Sequence, residues 1–154
     1  MSENRFLLLA AGEARPGRIR VPPAFSIKAT SQDTEDRFSL LEVTLAREIP
    51  RHVHHRADEA IYVLDGELGI EFAGREYTAT AGMFTLLPRG VPHALRPLSE
   101  KPPRVLQLSV PGGWEHYVED LIEAGPAVTT GGRFDPVKIN RIAARYDITY
   151  EEPA

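Results

Sequence analysis

Four residues carry most of the chemistry in this sequence: His52, His54, Glu59 and His93. Successive side chains of an extended segment point to opposite faces, so His52 and His54 share one face while Val53 and His55 share the other. Residues 55–58 give the chain room to reach a second strand, from which Glu59 delivers a carboxylate to the same point. The run Leu87-Pro88-Arg89-Gly90-Val91-Pro92-His93 brings a third imidazole. Three imidazoles and one carboxylate are a usual donor set for one divalent transition metal ion, because neutral nitrogen and anionic oxygen both suit iron, nickel, manganese or zinc. The spacing does not choose among these metals. The competing reading is a polar strand end whose imidazoles meet only solvent, which would suit a lone histidine. The glycines and prolines placed around these four residues favour ligation. Glu59 is read as the carboxylate donor of this set.

The elements that must position these groups are strands. Arg5–Ala10 and Phe25–Thr30 have the pattern of short strands, separated by an irregular segment rich in Gly, Pro and Arg from Gly12 to Pro23. Residues 31–36 are polar and turn-prone, fitting a rim loop or a plain solvated connection. From Phe38 to Leu45 the pattern alternates, which places Leu41, Val43 and Leu45 in the interior. Glu59 shares its parity with Ile61 and Val63, so one strand supplies both the carboxylate and apolar wall. Asp65-Gly66, Ala73-Gly74 and Ala81-Gly82 turn the chain around strands at 67–72 and 75–78. Beyond Met83–Leu87, the Pro88-Arg89-Gly90 bend turns Val91, His93 and Leu95 inward, and Arg104–Val110 closes the set. Many short strands with turn residues between them predict a closed or nearly closed antiparallel barrel of the jelly-roll kind, with the histidines at one end of its cavity.

The period changes after the last strand. Trp114, Tyr117, Val118, Leu121 and Ile122 recur at helical spacing until Gly125-Pro126. A second helix is expected with Asp135 at its N-cap, Pro136 in its first turn and Ile139, Ile142, Ala143 and Tyr146 on one side. Both stripes read as surface packed against the outside of the barrel. By parity His55 is an exterior residue or one that stands behind the ligands, and Asp58 is read as a rim residue or as a partner that orients an imidazole. Tyr77, Arg89 and His116 have no pattern tying them to the metal and are read as structural or solvent-facing.

A chain of 154 residues suits one domain, expected over 1–154 with the barrel at about 23–110 and the helical segment at about 113–147. The net charge is −4 and the basic residues form no stripe, which argues against nucleic acid as a partner. There is no cysteine, so neither disulfides nor a thiolate ligand enter, and the cytoplasm is the expected compartment. The apolar run Phe6–Ala11 is too short for the core of a secretory signal or a membrane span. With no cysteine and no serine in a nucleophile turn, hydrolysis through a covalent acyl intermediate is disfavoured, and the scattered acids give no glycosidase pair.

At these residues the sequence resembles the cupin superfamily. The first cupin motif is matched by His52, His54, Glu59 and Gly66, with Ala46 where a glycine is expected. The second is matched by Gly82, Pro88, Gly90 and His93, with Pro97 in place of an asparagine. Neither departure touches a ligand. The resemblance implies a mainly β fold, a cupin-type antiparallel β-barrel (double-stranded β-helix) with two C-terminal α-helices, and a metal held by His52, His54, Glu59 and His93. Blocks at Ile27–Thr30, His52–Gly66, Pro88–His93, Pro111–Glu115 and Ile142–Tyr146 are similar to single-domain bacterial cupins related to quercetin 2,3-dioxygenase. That likeness implies a dioxygenase acting on a hydroxylated aromatic or enolic small molecule with O2, with Glu59 taking the substrate's proton, and a homodimer. The alternatives are a redox-silent cyclase, isomerase or lyase of secondary metabolism, in which an ion such as zinc polarises a carbonyl, and a non-catalytic cupin that binds a small molecule.

Overall fold

The computed structural model describes residues 2–154. Its strands are β1 (Phe25–Ala29), β2 (Ser39–Thr44), β3 (Ile49–His54), β4 (Asp58–Asp65), β5 (Glu67–Phe72), β6 (Arg75–Thr80), β7 (Phe84–Leu87), β8 (His93–Pro97) and β9 (Arg104–Val110). After β9 come helix α1 (Trp114–Ala124), a short ribbon of β10 (Thr129–Thr130) and β11 (Arg133–Phe134), helix α2 (Pro136–Ala143) and a last strand, β12 (Ile148–Tyr150). Two antiparallel five-stranded sheets, ordered β1-β2-β9-β4-β7 and β12-β3-β8-β5-β6, make up the barrel. No helix among the described residues is long and apolar enough to cross a membrane.

Period-two alternation builds the core between the sheets. Leu41, Val43 and Leu45 point inward as expected, and they meet Ile61 and Val63 of β4, Leu68 and Ile70 of β5, Leu95 of β8 and Val105 of β9. At about 25 cal/mol per Å2 of apolar surface removed from water, each such side chain contributes about 1.5–3 kcal/mol. The outward parity of the first sheet is apolar too: Tyr62 stands opposite Phe84 and Leu106, and Ala60 opposite Leu86 and Leu108. Tyr62, Phe84 and Leu86 remain 43%, 64% and 55% exposed.

The N-terminal expectation is corrected. Residues 6–10 form no strand; a 3-10 turn spans Ser2–Arg5, and Phe6 and Leu8 are 81% and 80% exposed. An apolar run makes a strand only where a neighbouring strand takes up its backbone groups, and among the described residues no strand pairs with this one. Instead the chain turns where Glu13 N–H donates to the Ala10 carbonyl, and it regains the barrel where Arg15 N–H donates to the Ile27 carbonyl.

The helical region forms with α1 bounded as its pattern predicts. In α2 the Asp135 carboxylate accepts from the N–H groups of Val137 and Lys138, and Pro136 occupies the first turn. Tyr146 lies past the end of α2, in a 3-10 turn. From there Asp147, in the left-handed region at φ 57°, turns the chain into β12. On α1 two fully buried carboxylates tie other segments down. Glu115 accepts from the N–H groups of Ser31 and Gly113, and Glu119 from those of Arg18 and Ile19. The 31–36 segment is therefore anchored, with Ser31 and Thr34 buried rather than solvated.

Candidate metal centre

Each ligand is placed by a local feature of its strand. β3 pairs with β8 in a register that sets Ile49 opposite Leu95 and His52 opposite His93. Three steps along β3 thus match two along β8, so a bulge lies at Pro50-Arg51. Proline has no N–H to give the ladder, which suits it to this irregularity. The bulge lets Ile49 and His52, of opposite parity, line the same cavity. The Pro50 carbonyl lies 2.8 Å from His52 Nδ1 and accepts its proton, which assigns the Nε2 lone pair to the interior. β4 brings Glu59 in beside Ile61 and Val63, and β8 begins at His93 just past the Pro88–Pro92 bend. Asp58 holds that bend, its Oδ1 accepting from Arg89 N–H at 2.9 Å. It holds the backbone before His93 and, among the described residues, makes no hydrogen bond to an imidazole.

One donor atom from each of His52, His54, Glu59 and His93 falls within a single 4.8 Å group. His52 Nε2 and His54 Nε2 are 3.1 Å apart, and Glu59 Oε2 is 3.2 Å from both His54 Nε2 and His93 Nε2. Donors at about 2.1 Å from a common centre, at right-angled to tetrahedral spacing, stand roughly 3.0–3.4 Å from one another. All four residues are buried, with His93 at 1% exposure. His93 Nε2 lies near Glu59 but off the line of a hydrogen bond, so both ring nitrogens of His93 lack a hydrogen-bond partner. An orphaned buried imidazole nitrogen aimed at three other donors fits a metal ion.

The electrostatics favour the ligating forms. Burial, reinforced by the neighbouring His93 and His54, pushes the His52 imidazole down to about 3, so it is neutral. Burial alone would push Glu59 up, but its contacts with His54 and His93 outweigh this and hold it well below the usual carboxylate range. Gln107 on β9 supplies a further partner, its Nε2–H donating to Glu59 Oε1 at 2.8 Å. One carboxylate oxygen is thereby fixed and the other left facing the histidines.

Sequence reasoning missed three residues around this cluster. Gln107 is one, although an inward polar residue between Val105 and Ser109 was a signal that could have been followed. Tyr150 is the second: β12 pairs with β3, placing Tyr150 opposite His52, with their rings stacked at 4.7 Å and 23°. Tyr117 of α1 is the third, its hydroxyl 2.9 Å from that of Tyr150. His55 is exposed and bonds Thr149, and His116 sits between Ser31 and Glu119, so neither joins the cluster. Tyr77 and Arg89 are exposed and stand outside it.

The cluster opens into a cavity of about 570 Å3. Its wall comes from Ile49, Ile61, Leu95 and Val105 of the barrel and from Trp114 and Val118 of α1. The inner face of α1 is thus part of the cavity wall as well as packing surface. Such a chamber can hold a mostly apolar molecule against a charged centre shielded from bulk water.

Comparisons with known proteins agree with this architecture. Residues 40–111 match the Cupin domain family. The chain is 28% identical over 155 aligned positions to Germin-like protein 1-1 of Oryza sativa subsp. japonica, covering 88% of this chain and 72% of that protein. Among solved structures it is similar to KdgF from Halomonas sp., with a TM-score of 0.53 and 22% identity over 64% of this chain and 88% of that one. It is also similar to ectoine synthase from P. lautus, with a TM-score of 0.51 and 24% identity over 66% and 74% of the two chains. At these identities the structural likeness establishes the fold. The protein has the cupin fold, and its residues 40–111 are similar to the Cupin domain family.

Proposed function

We propose that this protein is a metal-dependent cupin enzyme, and specifically a dioxygenase that acts on a hydroxylated aromatic or enolic small molecule bound in the apolar cavity. The observation that carries the reading is the buried group of three imidazoles and one carboxylate at the inner end of a chamber large enough for such a substrate. A divalent redox-active ion held by His52, His54, Glu59 and His93 would polarise the substrate's oxygen and supply the route for its reaction with O2. The chain's own part is orientation and proton handling. Ile61, Val105 and Val118 exclude water and hold the ring. Glu59, pinned by Gln107 through one oxygen, needs little movement to swing the other from the ion to the substrate hydroxyl and take its proton, a contribution of about 10²–10⁴ in rate.

A second reading is favoured by the tyrosines. A buried phenol beside the cluster suits protonation of an enolate, as in a redox-silent isomerase, cyclase or lyase. One experiment separates the two. Protein loaded in turn with iron, nickel, manganese and zinc is mixed with a flavonol such as quercetin, and oxygen uptake is followed. Uptake with a redox-active ion and none with zinc is the expected result; turnover without oxygen, or equally fast with zinc, supports the second reading and overturns the first.

A further inference from the structure

Two features of the cavity are left unused by the metal cluster. The first is a proton that the Tyr117–Tyr150 pair does not spend. Each phenol carries one proton, and the bond between the two hydroxyls uses one of them. Among the described residues no other acceptor lies within hydrogen-bond distance of either hydroxyl, so one O–H in the cavity wall has nothing to donate to. A phenol with its ordinary pKa of about 10 is protonated throughout the physiological range, so each remains a donor. Burying an O–H without an acceptor costs about 1–3 kcal/mol, which a ligand oxygen would recover.

The second feature is Arg47. It is the one cationic side chain among the lining residues apart from the histidines. Its guanidinium lies over the Phe134 ring at 5.7 Å and is exposed at the rim. Among the described residues no carboxylate forms an ion pair with it. The rest of the lining is largely aliphatic and aromatic.

We propose that the cavity is a site for an amphipathic organic anion: a carboxylate, phosphate or sulfonate held by Arg47 at the rim, an apolar body along the wall, and an acceptor oxygen receiving the spare proton of the Tyr117–Tyr150 pair. This rests on the reading of the cavity as the substrate site, and it adds the charge and polarity that the site prefers in a ligand. Guanidinium binds planar anions through paired hydrogen bonds, so Arg47 selects for charge. The tyrosine pair selects for an acceptor oxygen on the ligand and acts on ligand position.

The test uses three probes with one ring system on the metal-free full chain. 6-Acetyl-2-naphthoate has both polar ends, 6-ethyl-2-naphthoate lacks the acceptor, and 2-acetylnaphthalene lacks the charge. Binding is read from quenching of Trp114, the single tryptophan of the chain and a lining residue. Wild-type protein is expected to bind the first probe most tightly. Arg47→Gln should weaken both naphthoates by about tenfold, the size of one charge-assisted hydrogen bond, and leave 2-acetylnaphthalene unchanged. The double variant Tyr117→Phe/Tyr150→Phe removes both partners of their bond and so leaves no new orphan. It should weaken the two acetyl probes and spare the ethyl one. Equal losses for charged and neutral probes, or no saturable quenching by 6-acetyl-2-naphthoate, would overturn the proposal. Because no metal is present, these outcomes are independent of whether the cluster binds an ion or turns over oxygen.

Discussion

Gln107→Leu removes the side chain that, among the described residues, hydrogen-bonds Glu59 without being one of the four candidate ligands. The hydrogen bond is 2.8 Å long, buried, and made to a carboxylate, which puts it in the class worth about 1.5–3 kcal/mol. Gln107 Oε1 is itself buried without a partner, and leucine relieves that cost of about 1–3 kcal/mol, so the loss is read in metal affinity rather than in fold stability. Released from Gln107, Glu59 can rotate away from His54 and His93, and partners of metal ligands typically cost 10–100-fold in metal affinity when lost. That range is about 1.4–2.7 kcal/mol, in agreement with the hydrogen-bond figure. The assay is competition for zinc against a chromogenic chelator, with far-UV circular dichroism to show that the barrel is intact. Gln107→Glu sets a second carboxylate against Glu59 and should also weaken metal binding. A folded Gln107→Leu protein with unchanged zinc affinity would refute the idea that this contact orients Glu59.

Gly112→Ala would bring a Cβ within 2.8 Å of the Phe38 carbonyl oxygen, backbone that has no rotamer with which to yield. Overpacking of about 1–3 kcal/mol and a fall in Tm of roughly 2–12 °C are expected in a calorimetric scan, and an unchanged Tm would contradict the packing described. Asp33 bonds Arg15 through both oxygens, and that hydrogen bond first, aided by Thr30, holds its pKa below the ordinary value. Its stabilisation is therefore complete above the unfolded pKa of about 3.9 and is lost as pH falls through the lower folded value. Asp33→Asn should lower stability at pH 7 and flatten the loss of stability below about pH 4 in urea titrations; parallel curves would count against it. We propose that a second copy of the chain covers the apolar outer face of the first sheet. Tyr62, Phe84, Leu86 and Val110 alone expose roughly 400 Å2, about half of what each partner buries in a standard interface, before half-buried Leu106 and Leu108 are added. Sedimentation should find a dimer that Phe84→Glu dissociates, and a wild-type monomer at high concentration would dispose of that assignment.

What could be read from sequence here followed local spacing. Alternation placed Leu41, Val43, Ile61 and Val63 inward, and it put His52 and His54 on one face with Glu59 among inward residues. Capping chemistry placed Asp135 and Pro136 at the start of α2. Long-range pairing was less visible. Nothing near Pro50 announces that Ile49 joins His52 on the cavity side, because the bulge exists only relative to β8. Three residues are too few to declare β12 a strand, yet its pairing with β3 sets Tyr150 on His52. The opposite failure occurred at Phe6–Ala10, where a good strand pattern has no neighbour to pair with.

The account stands on one ion held by His52, His54, Glu59 and His93. The direct measurement is elemental analysis of the chain after anaerobic reconstitution with iron, nickel, manganese and zinc, beside His52→Ala and His93→Ala variants whose folding is checked by circular dichroism. About one ion per wild-type chain, with folded variants reduced to a small fraction of that, is the predicted result. A wild-type chain that takes up none of the four metals, or folded variants that keep full occupancy, would contradict it.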